Sequence, residues 1–126
     1  MNYIRVSIIL LIVAVITGAF GAHALKKVLE TDQLTAWHTA VEYQFYHGLG
    51  LLLLCTIPEK NVKSEKRWLL AKRFLLVGTI LFCGSIYFLS TQSLSEMPMS
   101  FLGLVTPIGG LFFIAGWMLA LFSVKS

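Results

Sequence analysis

The sequence predicts an all-α integral membrane protein, a bundle of four transmembrane helices with the N- and C-termini both cytoplasmic. Three observations lead there. Of 126 residues, 57% are hydrophobic and only 13% charged, whereas soluble domains average roughly 45–50% apolar and about 25% charged. The apolar residues gather into four stretches, each near the ~20 residues needed to cross a bilayer. The Lys and Arg residues bunch between those stretches. The expected helices cover about 3–25, 34–57, 69–90 and 101–124 of a single membrane domain, with a basic loop at about 59–73. A net charge of +4 in a soluble chain would raise nucleic-acid binding. Charges confined to the links between apolar blocks are better explained by topology, so no nucleic-acid partner is expected.

The first stretch, Tyr3 to Leu25, has the outline of a signal peptide: Arg5, an apolar run, then Ala22-His23-Ala24. Its run from Val6 to Ala22 exceeds the roughly 7–15 residues of a signal core, so it is expected to remain as a spanning helix. Ala14, Gly18 and Ala22 recur every four residues, with Thr17 and Gly21 on the neighbouring row. Small faces of this kind let helices in lipid approach closely. A polar link follows, in which Thr31 or Asp32 is the expected cap of the next helix.

The second stretch, Leu34 to Ile57, is the unusual one. It is long enough to span, yet its first half carries His38, Glu42, Tyr43, Gln44, Tyr46 and His47, groups that are costly in hydrocarbon without partners. At 100° per residue, His38, Thr39, Glu42, Tyr43, Tyr46 and His47 fall on one half of the helix, and this arc is expected to face the bundle interior. Gln44 falls with Val41, Phe45, Gly48 and Leu52 on the other half and needs a different neighbour. His38 with Glu42, and Tyr43 with His47, are spaced to pair along the helix. Pro58 ends the stretch.

The loop from Glu59 to Arg73 holds Lys60, Lys63, Lys66, Arg67, Lys72 and Arg73, and Trp68 among them suits an interfacial anchor. The link from Thr91 to Ser100 contains Glu96 and Pro98 and no Lys or Arg. In the last stretch Pro107 either kinks the helix or sits in its first turns, and Gly109, Gly110 and Gly116 supply another small face. Four spans put eight Lys/Arg residues on the side of the termini and only Lys26 and Lys27 on the other. By the positive-inside rule both termini are cytoplasmic.

That topology gathers the polar groups toward the outer half of the bundle: His23, Glu42, Tyr43, Gln44, His47, Ser85, Tyr87 and Thr106. Glu42 is the sharpest of them, since an intramembrane carboxylate is a candidate exchange group as well as a helix lock. The histidines follow no metal-site spacing, and no catalytic or cofactor fingerprint is present, so neither a cofactor nor an enzymatic activity is expected. Cys55 and Cys83 read as small buried hydrophobes. Their depths differ by roughly 10–15 Å, too far for a disulfide.

The stretches Gly18–His23 (GAFGAH), Glu42–His47 (EYQFYH), Leu81–Tyr87 (LFCGSIY), Thr106–Gly110 (TPIGG) and Gly116-Trp117 resemble the bacterial family known as domain of unknown function 423. That family has a eukaryotic relative that is a transmembrane protein of similar length. The resemblance covers nearly the whole chain. It implies a small multi-pass protein of the plasma membrane with no assigned activity, and it supplies no catalytic residues. His38, Cys55 and Cys83 lie outside the family pattern. The first functional expectation is therefore a structural or accessory membrane component, oligomeric through its small-residue faces, with the lipid bilayer as its surroundings. The alternative is a small proton-coupled transporter working as an oligomer with Glu42 as exchange group. A metal- or cofactor-binding membrane protein is third.

Overall fold

In the computed structural model, residues 1–95 and 100–126 are described, and they form four long α-helices: α1 (Tyr3–His23), α2 (Thr31–Thr56), α3 (Glu65–Ser90) and α4 (Leu102–Ser123). Glu96 and Pro98 of the last link lie outside the described residues. The helices match the expected stretches, with α2 and α3 each starting three to four residues early. Local chemistry explains both shifts. Gln33 Oε1 accepts from the Glu30 amide at 3.0 Å, so Glu30, not Thr31 or Asp32, caps α2. The Ser64 side chain accepts from the Arg67 amide at 3.3 Å and starts α3 inside the basic segment. Pro107 sits in the second turn of α4.

α1 packs on α2 and α4 on α3, and α2 and α3 form the central pair. α1 and α2 run antiparallel in a register that sets Leu11 beside Gly48, Val41 beside Gly18 and Trp37 beside Gly21. On the other side, Gly78 faces Phe113, Gly109 faces Phe82 and Gly116 faces Leu75. This register brings the midpoints of α1, α3 and α4 level with Tyr46 and His47 of α2. α1, α3 and α4 are each long and apolar enough to cross a membrane. α2 is as long as α3, at 26 residues, but its polar first half leaves it without so apolar a stretch.

The most intimate seam joins α3 and α4. A Cβ on Gly109 would run into the backbone nitrogen of Phe82, and one on Gly116 would lie 2.9 Å from Leu75 Cδ2. Gly18, Gly21, Gly109 and Gly116 thus serve helix contacts within the chain, as does Ala14, which is fully buried. Ala22 is exposed, and a Cβ on Gly110 would come only to 4.0 Å from Phe82. These two are not at the seams.

At one end, the chain after α4 pairs with the link before α3. Lys63 N donates to Ser123 O at 2.7 Å, and Lys125 N donates to Asn61 O at 2.9 Å. Val62 and Trp68 are buried there with Leu54, Ala71, Leu75 and Ala120. Trp68 is only 2% exposed, so it is a core residue of this end, not the surface anchor that its charged neighbours suggested.

Candidate functional site: a buried polar lock between three helices

The side of α2 that faces inward carries Trp37, Ala40, Val41, Gln44, His47, Gly48, Leu51 and Leu54. This reverses the expected orientation. The arc richest in polar groups faces out, and of its members only His47 is buried. Glu42, His38 and Tyr46 are exposed, and Tyr43 is 37% exposed. No hydrogen bond or ion pair joins His38 to Glu42 among the described residues. His23, at the end of α1, is exposed as well.

Gln44, the residue that fell on the apolar side of the helical projection, is the centre of the buried polar network. It is 3% exposed. Its Nε2 donates to the Leu10 carbonyl of α1 at 2.8 Å. Its Oε1 accepts from the Tyr87 hydroxyl of α3 at 2.7 Å. With its one proton given to Gln44, the Tyr87 hydroxyl can only accept at its 3.1 Å contact with Thr17, whose own hydroxyl proton is shared with the Val13 carbonyl at 2.9 Å. The Thr17 carbonyl in turn accepts from the Trp37 indole at 2.8 Å. The Trp37 and Tyr87 rings pack at 4.6 Å. Three helices are joined by groups that satisfy one another away from lipid, which is how polar residues act as glue in membranes.

The sequence carried a usable signal for this face. Trp37, Val41, Gln44, Gly48 and Leu51 recur at alternating steps of three and four, the spacing of a packed helical stripe. The polar residues of the opposite arc outnumbered Gln44, and counting them pointed the wrong way.

A second cluster lies at the bundle's mid-level, between α2, α3 and α4. His47 stacks on Phe113, with ring centroids 3.5 Å apart and planes at 12°. Its Nδ1 donates to the Tyr43 carbonyl at 2.8 Å, so the Tyr43–His47 pairing is made through a backbone oxygen and a stacked ring contact at 5.9 Å. Tyr43 also packs on Phe82 at 4.6 Å. Between α3 and α4, Ser85 and Thr106 meet at 2.6 Å. Their hydroxyls also lie near the Phe82 and Leu102 carbonyls of their own helices.

Of the expected cluster, the fold therefore connects Gln44 with Tyr87, Tyr43 with His47, and Ser85 with Thr106, as three separate contacts. It leaves His23 and Glu42 outside all of them. Thr17 and Trp37 are the network members that composition did not single out. Both thiols are free. Among the described residues, no three His, Cys, Asp or Glu side chains converge in the manner of a metal site.

Residues 17–110 match the family model described as "Protein of unknown function (DUF423)". The matched span includes Gln44, Tyr87, His47, Ser85 and Thr106. Similar proteins include a UPF0382 membrane protein of Staphylococcus haemolyticus, 38% identical over 109 residues, or 85% of this chain and 81% of that protein. UPF0382 membrane protein YwdK of Bacillus subtilis is 36% identical over 112 residues, covering 86% and 83%. A UPF0382 membrane protein of Staphylococcus aureus is 41% identical over 108 residues, covering 84% and 80%. No solved structure matches the chain.

Proposed function

This chain belongs to the DUF423 family of membrane proteins, and from that premise we propose that it is a four-span plasma-membrane component with a structural or accessory role. Four spans require α2 beside the three helices that are long and apolar enough by composition. At 26 residues α2 is ~39 Å long, more than the ~30 Å hydrocarbon core. It packs antiparallel along α1 at the level of the other helices' midpoints, with Gln44 and His47 turned inward. The excess of Lys and Arg beside the termini and the α2–α3 link then orients both termini to the cytoplasm.

One observation supports the structural role above all. The most buried amide in the bundle is closed by Leu10 and Tyr87 of its own chain. A group held this way locks helices and is not free to bind cargo. The contrasting reading, proton-coupled transport, draws on Glu42, which has no hydrogen-bond or ionic partner among the described residues. Proteoliposomes under an imposed pH gradient separate the two. Under the structural role, wild-type protein and Glu42→Gln dissipate the gradient at the same rate, equal to that of empty vesicles. A wild-type flux that disappears in a folded Glu42→Gln variant overturns it.

A further inference from the structure

The outward face of α2 differs in chemistry from the rest of the surface. On α1, the exposed middle is Ile8, Ile12, Val15 and Ile16, and on α4 it is Ile108, Leu111 and Ile114. On α2 the corresponding stripe holds His38, Glu42 and Tyr46, followed by Leu49 and Leu53. These residues recur every three to four positions and share one side of the helix, opposite Gln44. The register with α1, α3 and α4 places Glu42 four to five residues from the bundle's mid-level, ~6–7 Å along the axis. It is thus well within the ~15 Å half-thickness of the hydrocarbon core. A carboxylate facing lipid at that depth is costly unless something covers and pairs it.

Resting on the four-span reading, we propose that a second copy of this chain covers this stripe, with α2 packed in parallel against α2 about a two-fold axis along the membrane normal. The stripe is complementary to itself. A carboxylate acceptor, Glu42, lies one turn from an imidazole, His38, and one turn from a phenol, Tyr46. A two-fold axis gives an isologous contact, in which His38 or Tyr46 of each copy faces Glu42 of the other and the reverse contact is made at once. The apolar continuation of the stripe fits the same contact. Tyr46, Leu49, Gly50, Leu53 and Thr56 line a shallow groove on this face, open to a ridge from the facing helix. Gly18, Gly21, Gly109 and Gly116 are engaged within the chain, and the exposed middles of α1 and α4 are apolar, so the α2 stripe is the face that offers hydrogen-bonding groups to a second copy.

Cysteine cross-linking in membranes tests this. In a background of Cys55→Ser and Cys83→Ala, oxidation is expected to link Leu49→Cys or Leu53→Cys into dimers, and to leave Ile12→Cys on α1 and Leu111→Cys on α4 monomeric. The contact is made twice about the two-fold axis, so losing two interhelical hydrogen bonds of about 0.6–1.7 kcal/mol each is expected to make dimer dissociation in liposomes ~7- to 270-fold easier for Glu42→Ala and for His38→Ala. Glu42→Gln, which keeps an acceptor, is expected to recover part of that loss. Cross-links through α1 or α4, a monomer at every position, or a dimer indifferent to both Glu42→Ala and His38→Ala overturns the proposal. A lipid or a different protein retained on the stripe in native mass spectrometry overturns it as well. Labelling of Glu42→Cys by a membrane-impermeant maleimide reports separately on the span: rapid labelling removes α2 from the bilayer, whereas protection with no cross-link removes only the dimer.

Discussion

Gln44 makes two hydrogen bonds that cross helix boundaries, one to a carbonyl of α1 and one from a phenol of α3. Because the Tyr87 hydroxyl gives its only proton to Gln44, loss of either residue leaves the other without its partner. A double-mutant cycle on Gln44→Leu and Tyr87→Phe, read from unfolding in mild detergent, is expected to give a coupling of about 0.6–1.7 kcal/mol. Additive effects would mean that the two residues act independently. At this scale the sequence was least legible. Polar residues in a membrane helix demand partners, but the demand does not say which side of the helix will be satisfied. Gln44 had complementary groups at the right depth on two neighbours, the Leu10 carbonyl and Tyr87. His38, Glu42 and Tyr46 of the outward arc have no hydrogen-bond partner on a neighbouring helix among the described residues.

The elements themselves were largely legible, because composition and span length constrain helices in lipid strongly. Boundaries moved where a cap extended a helix into a polar link, as Gln33 does for α2 and Ser64 for α3. The glycines were also readable as packing residues, although spacing did not distinguish Gly109 from its neighbour Gly110. Their surroundings do. Gly109→Ala places a methyl group against the rigid Phe82 backbone, so α4 must move away from α3. The expected cost is about 1–3 kcal/mol, as for other overpacked sites. Gly110→Ala adds a methyl group at ordinary contact distance and is expected to be neutral or stabilising, since alanine favours helix. Equal thermal midpoints for the two variants would contradict the close α3–α4 seam.

For the molecule as a whole, the polar residues fall into two sets with different fates. The inner set closes on itself and fixes how α1, α2 and α3 meet, while the aromatic rings around Phe113 join α2 to α4. The outer set, His38, Glu42 and Tyr46 on the far side of α2, is exposed, and the proposed dimer would cover it. Both interpretations depend on α2 crossing the bilayer, although its polar first half leaves it outside the three helices that are apolar enough to span by composition alone. The most direct measurement is a topology assay with a reporter that is active only in the cytoplasm, fused after Ser126 in one strain and after Lys27 in another. Four spans predict activity from the Ser126 fusion and silence from the Lys27 fusion. Silence from both fusions in a stable, membrane-inserted protein would mean an odd number of crossings, as with α2 outside the bilayer, and would contradict the account.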